Sequence, residues 1–272
     1  MALDQLGDNS EMGFLDHLEE LRWHLVRSVI AIFVFAIAAY LSTSFVWDTI
    51  ILGPTQPDFW TYKMLCELGN FIHSPQLCID EIPITFQNRD MAGQFMMDIT
   101  SSAVIGLILG FPYVFWEIWR FIKPGLKSNE KNASRGAVAV VSFLFLLGIS
   151  FGYFIITPLS INFLANYQLS ALIENIIDIK SIVGMLTMLT LACGFMFQLP
   201  VVSYFLSKAG LITPALMKRY RRHSLVVILI LSAVLTPPDV MSQILIALPI
   251  IALYEVSIVI SRRVEKAQAK NR

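Results

Sequence analysis

Four long apolar stretches dominate the chain, at roughly residues 25–47, 96–118, 137–157 and 181–206, each followed by a segment dense in polar and charged positions. Each reaches or exceeds the ~20 residues that a helix needs to cross a hydrocarbon core. Two shorter stretches follow, "SLVVILILSAVLT" (224–236) and "ILIALPIIALYEVSIVI" (244–260), with only "PPDVMSQ" between them. As a helix the first of these measures about 20 Å. That falls short of the ~30 Å core, so a crossing there requires a thinned bilayer or neighbours that cover its ends. The pattern predicts an all-α polytopic membrane protein with six transmembrane helices, the last two short.

Lysine and arginine in the connecting segments set the orientation. Arg120, Lys123, Lys127, Lys131 and Arg135 lie between the second and third stretches, and Lys208, Lys218, Arg219, Arg221 and Arg222 between the fourth and fifth. The C-terminal tail adds Arg262, Arg263, Lys266, Lys270 and Arg272. The alternate segments hold few: Lys63 and Arg89 in 48–95, and Lys180 in 158–180. Six spans with both termini cytoplasmic satisfy every segment. The opening "MALDQLGDNSEMG" has no basic region, so a cleaved signal peptide is not expected.

Composition agrees with a membrane solvent: 56% of the residues are hydrophobic and 15% charged, against about 25% charged in soluble domains. Twenty basic and twenty acidic residues cancel, which leaves no electrostatic reason to expect a nucleic acid. Of the three cysteines, Cys193 lies in an apolar stretch and reads as a small buried hydrophobe. Cys66 and Cys78 share the long external loop, where disulfides persist. A bridge between them and two free thiols both fit.

Polar residues near the spans are the candidates for chemistry. "FLDHLEELRWHL" spaces Phe14, Leu15, Leu18, Leu21 and Leu25 helically, with Asp16, Glu19 and Glu20 between. It reads as a short amphipathic helix at the cytoplasmic surface. It reads equally as a helix start, with acids favoured by the dipole and Arg22 able to pair with Asp16 or Glu19. In "WEIWRFIKPGLKSNEKNASRG", Pro124 and Gly125 end a helix, and Glu130 follows among basic residues. In "LTPPDVMSQ" the double proline stops one span, and Asp239 or Ser242 can cap the next. Gln198, just before Pro200, is a polar amide near the middle of span four, and such groups inside a membrane are functional candidates. Glu255 lies in span six, within reach of basic residues. None of these comes with a catalytic partner. His17, His24, His73 and His223 are scattered, and no metal-binding, nucleophile or phosphate-loop motif occurs, so neither a catalytic residue, a cofactor nor a metal is expected.

Taken in order, "HLEELRWHL", "FIKPGLKSNEK", "FGYFIITPL", "FQLP" and "LTPPDVMSQ" resemble the TatC family, the multispanning core of the twin-arginine protein translocase, over essentially the whole chain. The resemblance implies a receptor in the cytoplasmic (inner) membrane for folded cargo whose signals carry paired arginines. It assigns recognition of those arginines to Glu20 and Glu130. Arg22, Phe121, Pro124, Leu126 and Asp239 match family positions tied to signal binding, loop shape or function. Where the family often has glutamate this chain has Gln198, which puts a charge-dependent role there in doubt. The implied partners are twin-arginine signal peptides, TatA-type and TatB-type single-span proteins, membrane lipids, and further copies of the chain within a receptor complex. The implied motor is the proton-motive force.

The expected organisation is a single integral membrane domain over 1–272. It comprises a cytoplasmic amphipathic segment at 1–24, a periplasmic cap loop at 48–95, cytoplasmic loops at 119–136 and 207–223, and a cytoplasmic tail at 261–272. A secondary transporter of a small solute, with Gln198 and Glu255 lining a polar path, is the alternative from another class.

Overall fold

The computed structural model describes residues 14–74, 78–79, 82–122, 136–170, 175–235 and 240–270. The first helix, α1, runs from Phe14 to Leu41 without interruption. The acidic segment and the first span therefore form one continuous helix, in agreement with the reading of the acids as a helix start. No proline or glycine occurs between Phe14 and Leu41 to break it.

Past α1 the chain makes one helical turn (Thr43–Phe45), a wide π-turn (Val46–Ile51) and a 3-10 turn (Gly53–Thr55). It then forms α2, Trp60–Phe71, and a short strand β1, Thr85–Gln87. The second long helix, α3, covers Gly93–Ile122.

The third span departs from its apolar pattern. Helix α4 (Ala137–Phe151) passes through a π-turn (Gly152–Ile156) directly into α5 (Thr157–Asn166), nine residues beyond the expected end at 157. Pro158 does not stop it, because it falls in the first turn of α5, where its missing N–H is not needed. Thr157 Oγ1 donates to Gly152 O at 2.8 Å and closes the widened turn.

Strand β2 (Ile176–Asp178) pairs in parallel with β1, Thr85 opposite Ile176 and Gln87 opposite Asp178. This adds a two-stranded ladder to an otherwise helical fold. Asp178 then caps α6 (Ile179–Met196), accepting from the Lys180 amide. Span four continues after a break as α7 (Leu199–Lys208). A short α8 (Pro214–Arg219), the 15-residue α9 (Arg221–Leu235) and the 31-residue α10 (Val240–Lys270) complete the chain.

Among the described residues, five helical segments are long and apolar enough to span: Glu19–Leu41, Gly93–Ile122, Ala137–Asn166, Ile179–Lys208 and Gln243–Ala269. Helix α9 is the short sixth candidate. The last helix is longer than its apolar stretch, because "SRRVEKAQAK" continues it with good helix formers.

Two clusters of buried side chains hold the bundle. One joins Ile156, Leu189, Cys193, Ile228, Ile246 and Ile250, and the other joins Ala39, Val46, Ile51, Met97 and Val183. Cys193 is thus core, as read from its apolar setting. Large side chains such as Phe33, Ile37, Phe143, Val226 and Val234 face outward. Apolar surface on this scale is normal toward lipid and abnormal toward water.

The long loop packs down on the π-turn of span three. Tyr62, fully buried, donates to Pro54 O at 2.9 Å and Pro158 O at 2.8 Å. Burial pushes its phenol above the ordinary range, so it stays a donor. Thr61 donates to Phe154 O. Cys66 and Cys78 are bridged, which decides between the two readings of that pair. With a sequence separation of 12, the bridge is expected to contribute about 3 kcal/mol by restricting the unfolded loop. Cys66→Ser, and reductant on the unaltered protein, should each lower the thermal midpoint in detergent, and to the same extent as one another. A bridge that held nothing would leave both midpoints unchanged.

Candidate functional site

The site forms where α1 and α3 cross. Gly106 and Gly110, one turn apart on α3, lie against Ile32 and Ala36 of α1. A Cβ at Gly106 would stand 2.7 Å from Ala36 N and from Ile32 O, so the two backbones touch there. Small residues one turn apart are how membrane helices approach this closely. The contact fixes the opposite ends of the two helices as neighbours, and these ends carry the polar residues.

On α1, His24 is 6% exposed; on α3, Glu117 is 1% exposed. His24 Nδ1 and Glu117 Oε2 form a short buried hydrogen bond between the helices. Glu117 Oε1 accepts from Tyr113 at 2.9 Å, one turn back on α3. The buried carboxylate is thereby served at both oxygens, as burial demands. Phe121, one turn further along α3, lies edge-on to the His24 ring at a centroid distance of 6.2 Å.

Glu20 stands at the outer rim of this cluster. Its Oε1 lies 3.8 Å from His24 Nε2, inside ion-pair range and too long for a hydrogen bond. Its Oε2 has no hydrogen-bond partner among the described residues. Glu20, one turn before His24 on α1, thus has a buried oxygen without a partner beside a Glu117 carboxylate on α3 that is bonded at both oxygens. Arg22 is exposed, and no ion pair joins it to Glu19 among the described residues.

Glu20 and Phe121 therefore come together, through His24. Glu130, Pro124, Leu126 and Asp239 lie outside the described residues. Gln198 and Glu255 belong elsewhere. Gln198 sits at the break between α6 and α7, donating from Nε2 to Val141 O of α4 at 3.2 Å, with its Oε1 buried and unpartnered among the described residues. Glu255 on α10 pairs with Arg221 Nε at 2.6 Å and so ties α9 to α10. Both contacts suit structural roles.

Reasoning from the sequence missed His24 and Glu117. A lone acid inside the apolar stretch "VFWEIWRF" was a visible signal, since an intramembrane carboxylate is costly unless paired. Its partner was not visible, being 93 residues away. Asp98, at the other end of α3, was missed for the same reason. It accepts from Trp47 Nε1 at 2.9 Å and from Thr43 Oγ1 at 3.3 Å.

A cavity of about 810 Å³ opens between the π-turn after α1, the first half of α3, α4 and α6. Ile105, Ile108, Ile149, Tyr153 and Leu186 line it. Ser101 and Thr190, also in its lining, have hydroxyls unpartnered among the described residues. Gln198 is not in its wall.

Residues 16–249 match the family model described as Sec-independent protein translocase protein (TatC). A TatC from Blattabacterium sp. subsp. Periplaneta americana is 38% identical over 261 residues, covering 95% of this chain and 98% of that protein. A Campylobacter jejuni TatC is 33% identical over 251 residues, covering 92% and 94% respectively. A crystal structure of the twin arginine translocase receptor TatC in DDM superposes with a TM-score of 0.71 at 29% identity, covering 89% of this chain and 98% of that one.

Proposed function

This chain belongs to the TatC family, a multi-pass protein of the inner membrane and core component of the twin-arginine translocase, and from that premise we propose that it is the receptor for twin-arginine signals. The observation that carries the proposal is the Glu20 carboxylate, set at the rim of the α1–α3 cluster with one oxygen unpartnered among the described residues. An ionised carboxylate only accepts, and a guanidinium offers a planar fork of donors that lysine cannot reproduce. Glu130, in the first cytoplasmic loop, is the second socket.

After docking, the apolar part of the signal inserts along the concave side of the bundle toward Gln198. TatA-type and TatB-type single-span proteins dock against α9 and α10, where a 15-residue helix favours a thinned bilayer. Further copies of the chain assemble with them in a receptor complex, both termini face the cytoplasm, and the proton-motive force drives passage. The chain's own part is binding and assembly, not the making or breaking of covalent bonds.

In cells lacking their own TatC and supplied with this chain and its partners, a folded fluorescent reporter with an Arg-Arg signal should be exported. Glu20→Gln should cut that export tenfold or more, the loss expected from one charge-assisted contact. Gln198→Ala and Glu255→Gln should cost less. The reverse order of sensitivity, together with uptake of a small solute by the purified protein in vesicles, would favour the transporter reading.

A further inference from the structure

The cavity beside the π-turn after α1 opens sideways. Phe45, Leu109 and Phe154 belong to its lining and are also exposed on the outer surface. In a membrane-spanning chain that surface faces acyl chains, so the opening is continuous with lipid. Next to it lies α2, where Trp60, Met64, Leu68 and Phe71 are exposed at helical spacing. This stripe runs between a buried face, with Thr61, Tyr62 and Gly69, and a polar one, with Lys63, Glu67 and Asn70. Such an apolar stripe is that of a helix lying in the membrane interface. Trp60, at the start of the stripe, also lines the cavity, which sets the mouth at the depth of the lipid headgroups.

Depth along α3 orders what the cavity offers. Asp98 accepts from Trp47 Nε1 at 2.9 Å and from Thr43 Oγ1 at 3.3 Å, which holds the π-turn carrying Asp48 level with that point of α3. Ser101 lies about one turn deeper, and Ile105 and Ile108 about one and two turns deeper again. Asp48 and Asp58 are the only charged residues of the lining among the described residues. Asp58 pairs with Lys63 at 3.2 Å where both are exposed, and Asp48 forms no ion pair among the described residues. Ser101 is 1% exposed, and its hydroxyl has no hydrogen-bond partner among the described residues. The cavity thus passes from carboxylates at its mouth, by a buried hydroxyl, to apolar walls. Its volume of about 810 Å³ lies within the ~300–1,000 Å³ of sites that hold small molecules.

We propose that this cavity binds a phospholipid with an ammonium headgroup, of the phosphatidylethanolamine type, from the leaflet on the side of the long loop. The ammonium offers three N–H donors and no acceptor, and it sits between Asp48 and Asp58. The Ser101 hydroxyl donates to an ester carbonyl, and one acyl chain runs along Ile105, Ile108 and Leu186. The exposed Asp58–Lys63 pair contributes little and yields to the headgroup. An anionic headgroup meets two like charges and no cation in the lining, and is disfavoured. The bound lipid fills the space beside α3, α4 and α6 and seats α2 on the bilayer. The site is separate from Glu20 and does not rest on the receptor reading.

The test is photolabelling of the full-length protein, stripped of lipid in detergent, with phosphatidylethanolamine carrying a diazirine on one acyl chain. Adducts are mapped by peptide mass spectrometry, with unlabelled phosphatidylethanolamine or phosphatidylglycerol of the same chains as competitor. The expected adducts fall on the cavity walls around Ile105, Ile149 and Leu186. Phosphatidylethanolamine should compete about threefold or more better than phosphatidylglycerol, the scale of two exposed charge contacts. Asp48→Asn combined with Asp58→Asn, both at exposed positions that leave the core intact, should make the two competitors equal. Adducts scattered over outward residues such as Phe33 and Phe143, with none in the cavity, overturn the proposal and leave the groove to a protein helix. Equal competition by the two lipids on the unaltered protein overturns the ammonium headgroup. A preference that survives in the double variant overturns the assignment to the two carboxylates. No signal peptide enters the experiment, so the receptor reading stands or falls apart from it.

Discussion

Gly106→Leu is expected to lower the stability of the detergent-purified protein by about 3 kcal/mol, at the upper end for overpacking, and to abolish signal-peptide binding with it. A Cβ alone would lie 2.7 Å from Ala36 N, Ala36 Cβ and Ile32 O. Two of these three atoms are backbone, so no side chain can swing aside, and α1 must move away from α3. The polar cluster is about 16 Å along α3 from this contact, eleven residues at helical rise. Displacing α1 by even a fraction of its diameter separates His24 from Glu117 and leaves each buried without its partner on the other helix. Breaking such a pair is itself costly. Gly184→Ala is the matched control, because nothing lies within 4 Å of the added methyl. It should keep the thermal midpoint and the binding. A Gly106→Leu protein that melts and binds like the unaltered one would show that the close approach of the two helices is not what builds the site.

Much of this architecture was legible in the sequence, because a membrane-spanning helix writes itself as a long apolar stretch. The four long spans follow that rule. Local signals misled where tertiary context changed their meaning. The third apolar stretch fades at about residue 157, yet after the π-turn Pro158 sits in the first turn of a helix that runs on to Asn166. The acids of "FLDHLEELRW" read either as a surface helix or as a helix start, and the unbroken helix from Phe14 to Leu41 agrees with the second. Gln198 does lie within span four, at a helix break that the sequence did not reveal, bonded to a backbone carbonyl of α4. The candidate site was half legible. Glu20 stood out as a carboxylate at a span entrance and through the family resemblance. What holds it in place did not, because the His24–Glu117 bond spans 93 positions and depends on the glycine contact that brings α1 against α3. The Cys66–Cys78 pairing was open in the sequence and is closed by the fold of the loop around α2.

Glu20→Gln is expected to remove most of the discrimination between paired arginine and paired lysine. The substitution keeps the shape and one acceptor oxygen but loses the charge and the second acceptor, so a guanidinium fork loses its bidentate partner. Hydrogen bonds to charged groups contribute about 1.5–3 kcal/mol, which is roughly tenfold to more than a hundredfold in affinity. Lysine, a point charge, loses less, and the two peptides converge. Glu130→Gln should produce a loss of the same order if the second arginine has its own carboxylate.

The most direct measurement is the affinity of fluorescent Arg-Arg and Lys-Lys signal peptides for the purified protein and for its Glu20→Gln and Glu130→Gln variants. A tenfold or greater preference for Arg-Arg that either substitution removes is the predicted result. Equal affinity for both peptides, unchanged by either substitution, would contradict the assignment of this chain as the arginine-reading receptor.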